Sequence, residues 1–139
     1  MTISLRFLPP IPEDMRIMEA DLEVAGIQYR KRNALAFAKR GQHRLELERE
    51  PNNSHDPNAI KVIGISKGWF FWRSDFIGYV PRDTAERIAK AGTWNVMQPR
   101  LKNVWAGGYV QDVINIRFDI LEPKPVKDPV TKGKKRRDT

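Results

Sequence analysis

Alternating apolar and polar positions predict a chain built mainly of short β-strands. In His43–Glu48, Leu45 and Leu47 share one face while charged side chains occupy the other, which is the period-two pattern of a half-buried strand. Ala59–Ile65 alternates in the same way. Similar patterns predict strands at Leu22–Tyr29, Phe76–Val80, Val96–Trp105 and Val110–Leu121, and an aromatic hairpin or loop at Lys67–Ser74.

Two segments have helical rather than strand character. Arg82–Ala91 places apolar residues on one helical stripe, and Gly92 follows as a stop signal. Asn33–Arg40 is a shorter helix candidate, with Asn33 as a possible N-cap and Gly41 after its end. The order of these elements predicts a mainly β fold, a small antiparallel barrel with one main helix and a short second helix.

The length of 139 residues suits one domain with tails. Prolines at positions 9, 10 and 12 favour an extended N-terminal arm over residues 1–20. The domain itself is expected at 21–122, followed by a disordered basic tail at 123–139 that is rich in Pro, Lys and Gly.

Charge alone does not identify a partner. The formal net charge is +8, but residues 123–139 contribute +5 of it, which leaves +3 for everything before them. The chain has no cysteine, which excludes disulfides, thiolate metal sites and thiol catalysis and fits a reducing cytoplasm. Neither a secretory signal nor a membrane-spanning stretch is evident, so a cytoplasmic protein is expected.

Three segments, taken in order, carry a recognisable motif. They are VAGIQY at 24–29, LELEREPNNSHDPNAIKV at 45–62 and IGYVPR at 77–82. The middle one is the most specific, because an arginine, an acid, Pro-Asn and then Asp-x-Asn-Ala-Ile-x-Val are rarely combined by chance. In these segments the chain resembles the HIRAN domain family, over roughly residues 21–121, and it looks like the small standalone prokaryotic or phage members.

The resemblance implies a fold and a function. Family members have an OB-like barrel, also occur at the N-terminus of helicase-like chromatin and repair proteins, and hold the 3′ end of single-stranded DNA. Such binding requires aromatic faces for the bases, donors for the phosphates and an acceptor for the terminal hydroxyl, and the motif supplies all three. The expected partner is therefore single-stranded DNA, in a context such as DNA repair.

The resemblance also assigns candidate residues. In relatives the stretch matching 53–56 forms the end pocket, where an aromatic side chain stacks on a base and the next aspartate accepts from the 3′ hydroxyl; here these residues are His55 and Asp56. Gln28 stands where some relatives carry an arginine, and Tyr79 where the best-known relatives carry a histidine. The expected DNA-binding set is Ile27, Gln28, Tyr29, Asn53, His55, Asp56, Tyr79, Arg82 and Tyr109.

Each feature has a plainer structural interpretation. Asn52 and Asn58 are expected to cap turns rather than bind a ligand. Tyr29 and Tyr79 can equally be half-buried strand residues. In the aromatic run Trp69–Trp72, at least two of the four side chains are expected to pack against the barrel.

Other functions stay open. A metal-dependent nuclease would have to use His55, Asp56 and Glu50, too few ligands for a typical site, so no enzyme activity, metal or cofactor is expected. A protein-interaction or structural domain that has lost the pocket is the main alternative, and RNA is a related ligand. No membrane or small-molecule substrate is expected, whereas a helicase or nuclease is a conceivable protein partner.

Overall fold

The computed structural model describes residues 2–108 and 113–125. This part of the chain is mainly β and contains two α-helices, as the sequence predicts. The strands are β1 (Ile3–Arg6), β2 (Met15–Glu23), β3 (Gly41–Arg49), β4 (Ile60–Lys67), β5 (Trp72–Tyr79), β6 (Gln98–Gly107) and β7 (Val113–Pro123), and the helices are α1 (Lys31–Lys39) and α2 (Arg82–Ala91).

The described strands form two antiparallel sheets, one in the order β1-β6-β7-β2 and the other in the order β3-β4-β5. The predicted OB-like barrel is not confirmed, because these ladders do not close on one another. The predicted strand Leu22–Tyr29 is wrong in its second half. The chain leaves β2 after Glu23 and forms only an isolated bridge, between Ala25 and Tyr79, before it turns into a 3₁₀ helix at Ile27–Tyr29.

The N-terminal residues contribute to the larger sheet. β1 pairs with β6 from Ile3 to Arg6, and β2 pairs with β7 from Met15 onwards. The proline-containing segment between β1 and β2 has no regular structure, as those prolines require. The expected division between residues 20 and 21 therefore lies inside β2.

One hydrophobic cluster draws side chains from both sheets and both helices. Phe37 of α1 is fully buried within it, together with residues of the smaller sheet (Val62, Ile77) and of the larger one (Ile116, Phe118). Gly64 permits this packing, since a Cβ there would lie 2.6 Å from Cδ1 of Phe37. The helix α1 therefore packs closely against the smaller sheet, which carries the candidate site.

The two helices begin and end largely where the sequence predicts. For α2 the bounds agree, and Gly92 ends it in a left-handed conformation with φ 67°. For α1 the predicted cap is wrong: Arg30 is the N-cap, while Asn33 lies in the helix and donates to the Phe76 carbonyl at 3.0 Å. No helix within the described ranges is long and apolar enough to cross a bilayer.

Candidate nucleic-acid interface

A pocket of about 300 Å³ lies where the 50–59 loop, the end of β5 and the start of α2 meet. Five of the nine predicted residues line it, although they come from two separate segments of the chain. The lining is Ala25, Asn53, His55, Asp56, Ala59, Tyr79, Val80 and Arg82. We call it the Asp56 pocket.

The loop that carries the pocket is organised by Asn53. Its Oδ1 accepts from the backbone N–H groups of His55 at 2.8 Å and of Asp56 at 3.0 Å. Asp56 continues the pattern, because its Oδ1 accepts from the N–H of Asn58 at 2.9 Å. These are Asx turns, which fix a loop through its own backbone. Asn53 therefore shapes the pocket that it also lines.

Glu50 connects the loop to the sheet. Its Oε1 accepts from the Asn53 amide at 2.5 Å and from the Tyr79 hydroxyl at 3.0 Å, while the Lys61 ammonium lies 3.2 Å from Oε2. The Asn53 hydrogen bond, with smaller contributions from Tyr79 and Lys61, lowers the pKa of Glu50. Burial and the Glu50 carboxylate raise the pKa of Tyr79, so its hydroxyl remains a donor at neutral pH.

Asp56 and Arg82 place opposite charges on the pocket wall. The Asp56 side chain is 18% exposed, and its Oδ2 lies 3.7 Å from Nε of Arg82, whose side chain is 77% exposed. Arg82 also donates to the His55 carbonyl at 3.3 Å, and it is the first residue of α2. The positive end of that helix and the guanidinium together favour an anion beside the carboxylate.

The 3₁₀ helix is attached to the pocket edge. Ala25 and Tyr79 exchange two backbone hydrogen bonds of 2.8 Å, and Gly78 allows this approach because a Cβ there would lie 2.4 Å from the Ala25 carbonyl oxygen. Beyond the bridge, the Ile27 side chain is buried in the core, whereas Gln28 and Tyr29 are exposed. Of this predicted trio, only Gln28 and Tyr29 present side chains to solvent.

Three residues beside the pocket were not among the predicted ones: Arg30, Lys61 and Phe76. The Arg30 guanidinium lies 3.7 Å from the centre of the Phe76 ring, and the Lys61 ammonium lies 5.1 Å from it. The Phe76 ring in turn meets Tyr79 edge-on, with centroids 5.2 Å apart. Alternation in β4 could have placed Lys61 on the outer face, but no sequence signal indicates that Arg30 covers Phe76.

Two predictions about aromatic residues have different outcomes. Tyr109 lies outside the described residues. The expectation that at least two side chains of Trp69–Trp72 pack on the body is wrong, since all four are exposed, by 48 to 93%. They lie at the far end of the β4–β5 hairpin, beyond the reach of the core.

A second, larger cavity lies elsewhere. It measures about 630 Å³ and lies between the N-terminal prolines, β3 and β6. None of the predicted residues lines it. Within the described ranges, no group of three or more His, Cys, Asp or Glu residues is arranged to hold a metal ion.

The pocket combines a carboxylate, a guanidinium at a helix start and neighbouring aromatic rings, which are groups suited to an anionic, base-bearing ligand. The comparisons agree with that class. A profile of the HIRAN domain matches residues 17–95, more than half of the chain, and the protein belongs to this family of nucleic-acid-binding domains. No curated protein and no solved structure is significantly similar to the chain.

Proposed function

We propose that the protein binds single-stranded DNA at a free 3′ hydroxyl, which occupies the Asp56 pocket. The observation that carries the proposal is the Asp56 carboxylate. Its Oδ1 accepts from the Asn58 N–H, while Oδ2 lies 3.7 Å from Nε of Arg82, longer than a hydrogen bond, on the wall of the pocket. A carboxylate oxygen accepts strongly from a hydroxyl, and it repels a terminal phosphate.

The neighbouring groups suit the rest of a strand end. Arg82 and the start of α2 provide charge and N–H donors for the adjacent phosphate. His55 on the pocket wall and the exposed Tyr29 ring provide faces on which bases can stack. Gln28 supplies an amide where some relatives supply an arginine, which removes one cation from the pocket edge.

This function requires neither catalysis nor a cofactor. The protein would mark or protect strand ends, and a helicase or nuclease acting on the same end is the partner class that fits. The wall residues contact sugar and phosphate rather than base edges, so we expect little base preference.

Competition between linear and circular strands tests the proposal. A labelled linear oligonucleotide with a free 3′ hydroxyl is bound, and unlabelled strands of equal nucleotide concentration are added. We expect linear strands to displace it and circular strands, which have no end, to displace it at least about tenfold less well, as loss of a charge-assisted hydrogen bond implies. Equal displacement by circles would contradict end binding.

Arg82→Ala is expected to weaken binding to all strands by a similar factor. Because the guanidinium would neutralise one phosphate, the slope of log affinity against log salt should fall by about one. Titrations at several salt concentrations measure this slope. Arg87→Ala is the matched control, since Arg87 lies on the same helix but pairs with Glu19 and Asp83. An unchanged slope for Arg82→Ala would remove Arg82 from the interface.

A further inference from the structure

The tip of the β4–β5 hairpin exposes an aromatic cluster that the pocket does not use. Trp69, Phe70 and Phe71 are 93%, 77% and 68% exposed. The turn is closed by a 2.9 Å hydrogen bond from the Gly68 N–H to the Phe71 carbonyl. The three rings meet only edge-on, with centroids 5.9 and 6.5 Å apart, so their faces remain accessible.

Further aromatic residues connect this tip to the pocket. On β5, Trp72 pairs with Lys67, Phe76 with Ile63 and Tyr79 with Lys61. Since Lys61, Ile63 and Lys67 alternate in β4, their partners share one face of the sheet. The face therefore carries a row of rings that starts at Tyr79, in the pocket wall, and ends at the tip.

Cations flank this row at both of its inner rings. Phe76 lies beneath Arg30 and beside Lys61, as described above. Trp72 has the Arg44 guanidinium 5.1 Å and the Lys67 ammonium 5.9 Å from its ring centre. Glu46 neutralises Arg44 in part, through a contact of 3.4 Å at the exposed edge of β3. Glu50 likewise pairs with Lys61 at 3.2 Å, so four basic groups stand beside these rings against two carboxylates.

We propose that Phe76, Trp72, Trp69, Phe70 and Phe71 form an aromatic track, a second subsite on which a single-stranded nucleic acid stacks after leaving the Asp56 pocket. The inference rests on the proposed function, because the pocket fixes one end of the strand. At about 3.3 Å per residue, β5 places Trp72 roughly 20 Å from Tyr79 in the pocket wall, a distance suited to several nucleotides.

The pairing of rings with cations favours this ligand over others. Proteins that bind single strands without sequence preference combine aromatic side chains for bases with positive charge for the backbone. A purely apolar protein partner would need no cations beside Phe76 and Trp72. A lipid surface would bind the tip alone, and it would leave Phe76 and its two cations without a role.

The length dependence of binding tests the track. The full chain is titrated with oligonucleotides of 4 and 12 nucleotides, both with a free 3′ hydroxyl, so that only the longer one reaches the tip. Because one stacked base contributes about tenfold or more, the 12-mer should bind at least about tenfold more tightly. The triple variant Trp69→Ser, Phe70→Ser, Phe71→Ser should bind the 4-mer unchanged and lose that gain.

Leu8→Ser is the control, since Leu8 is an equally exposed apolar residue, at 85%, outside the track. A milder variant, Trp69→Phe, keeps an aromatic ring at this position and is expected to fold normally. It tests whether the strand reaches Trp69, because the 12-mer should quench the tryptophan fluorescence of the wild type more than that of the variant. Equal quenching would overturn the track, whatever the triple variant does.

The outcomes separate the two proposals. If the wild type binds both lengths equally, or if the triple variant retains the gain, the track is wrong and the pocket stands. If the 12-mer alone binds and the triple variant loses it, the track stands and the end pocket fails. Wild-type capture by phosphatidylserine vesicles that is lost in the triple variant, with the 12-mer gain intact, would assign the tip to membranes and overturn the track.

Discussion

Asp56→Asn should abolish the preference for a 3′ hydroxyl while the loop keeps its shape. The asparagine Oδ1 can still accept from the Asn58 N–H, so the Asx turn is preserved. What is lost is the anionic acceptor for the terminal hydroxyl. A hydrogen bond to a charged group contributes about 1.5–3 kcal/mol, so the affinity for the hydroxyl strand should fall about 10- to 100-fold.

The same substitution should improve binding of a 3′-phosphorylated strand, because the repulsion between carboxylate and phosphate is removed. The ratio of the two affinities is therefore the most sensitive readout, and fluorescence anisotropy with both strands measures it. Asp83→Asn is the matched control: it removes the same charge beside Arg82, yet Asp83 does not line the pocket. A ratio that Asp56→Asn leaves unchanged would contradict the assigned role of the carboxylate.

Asp119→Ala is expected to have the largest effect on stability. The Asp119 side chain is 2% exposed, and its Oδ2 lies 2.9 Å from Nη1 of Arg100. The Arg100 side chain is 14% exposed. Its Oδ1 accepts from the Asp21 N–H at 2.7 Å, and Arg100 also donates to the Pro9 carbonyl at 2.8 Å. Removing the carboxylate leaves the largely buried Arg100 guanidinium without its charged partner, which costs about 3–5 kcal/mol.

Chemical denaturation measures that loss, with Asp83→Ala as the control for an exposed pair worth at most about 1 kcal/mol. The pair lies in the larger sheet, away from the Asp56 pocket, so the folded fraction should bind DNA with unchanged affinity. A stability loss no greater than that of Asp83→Ala would show that the buried pair is replaceable.

The local elements of the fold could be predicted because their signals are local. The α2 helix has an apolar stripe and a glycine stop, and both bounds were predicted correctly. The Asx turns of the 50–59 loop follow directly from its Asn and Asp side chains.

Tertiary features were predicted less well. The segment 24–29 has strand-like composition, but Gly26 adopts φ 73° and the chain turns after the bridge to Tyr79. The aromatic residues of Trp69–Trp72 were expected to pack because apolar residues usually do, yet the hairpin carries them beyond the core.

Part of the candidate site could be predicted because three of its residues lie in one short segment of the chain. The motif brought Asn53, His55 and Asp56 together in sequence, and the structure adds Tyr79 and Arg82 to the same pocket. The roles of Arg30 and Lys61 depend on how α1 and β4 approach Phe76, which no single segment encodes.

The most direct test of the account compares wild-type affinities for two otherwise identical short strands, one ending in a 3′ hydroxyl and the other in a 3′ phosphate, at one fixed salt concentration. A strand phosphorylated at its 5′ end instead controls for the added charge. The account predicts about tenfold or greater preference for the 3′ hydroxyl strand, and full binding of the 5′-phosphorylated one. Equal affinity for the hydroxyl and 3′-phosphate strands would contradict end recognition at Asp56.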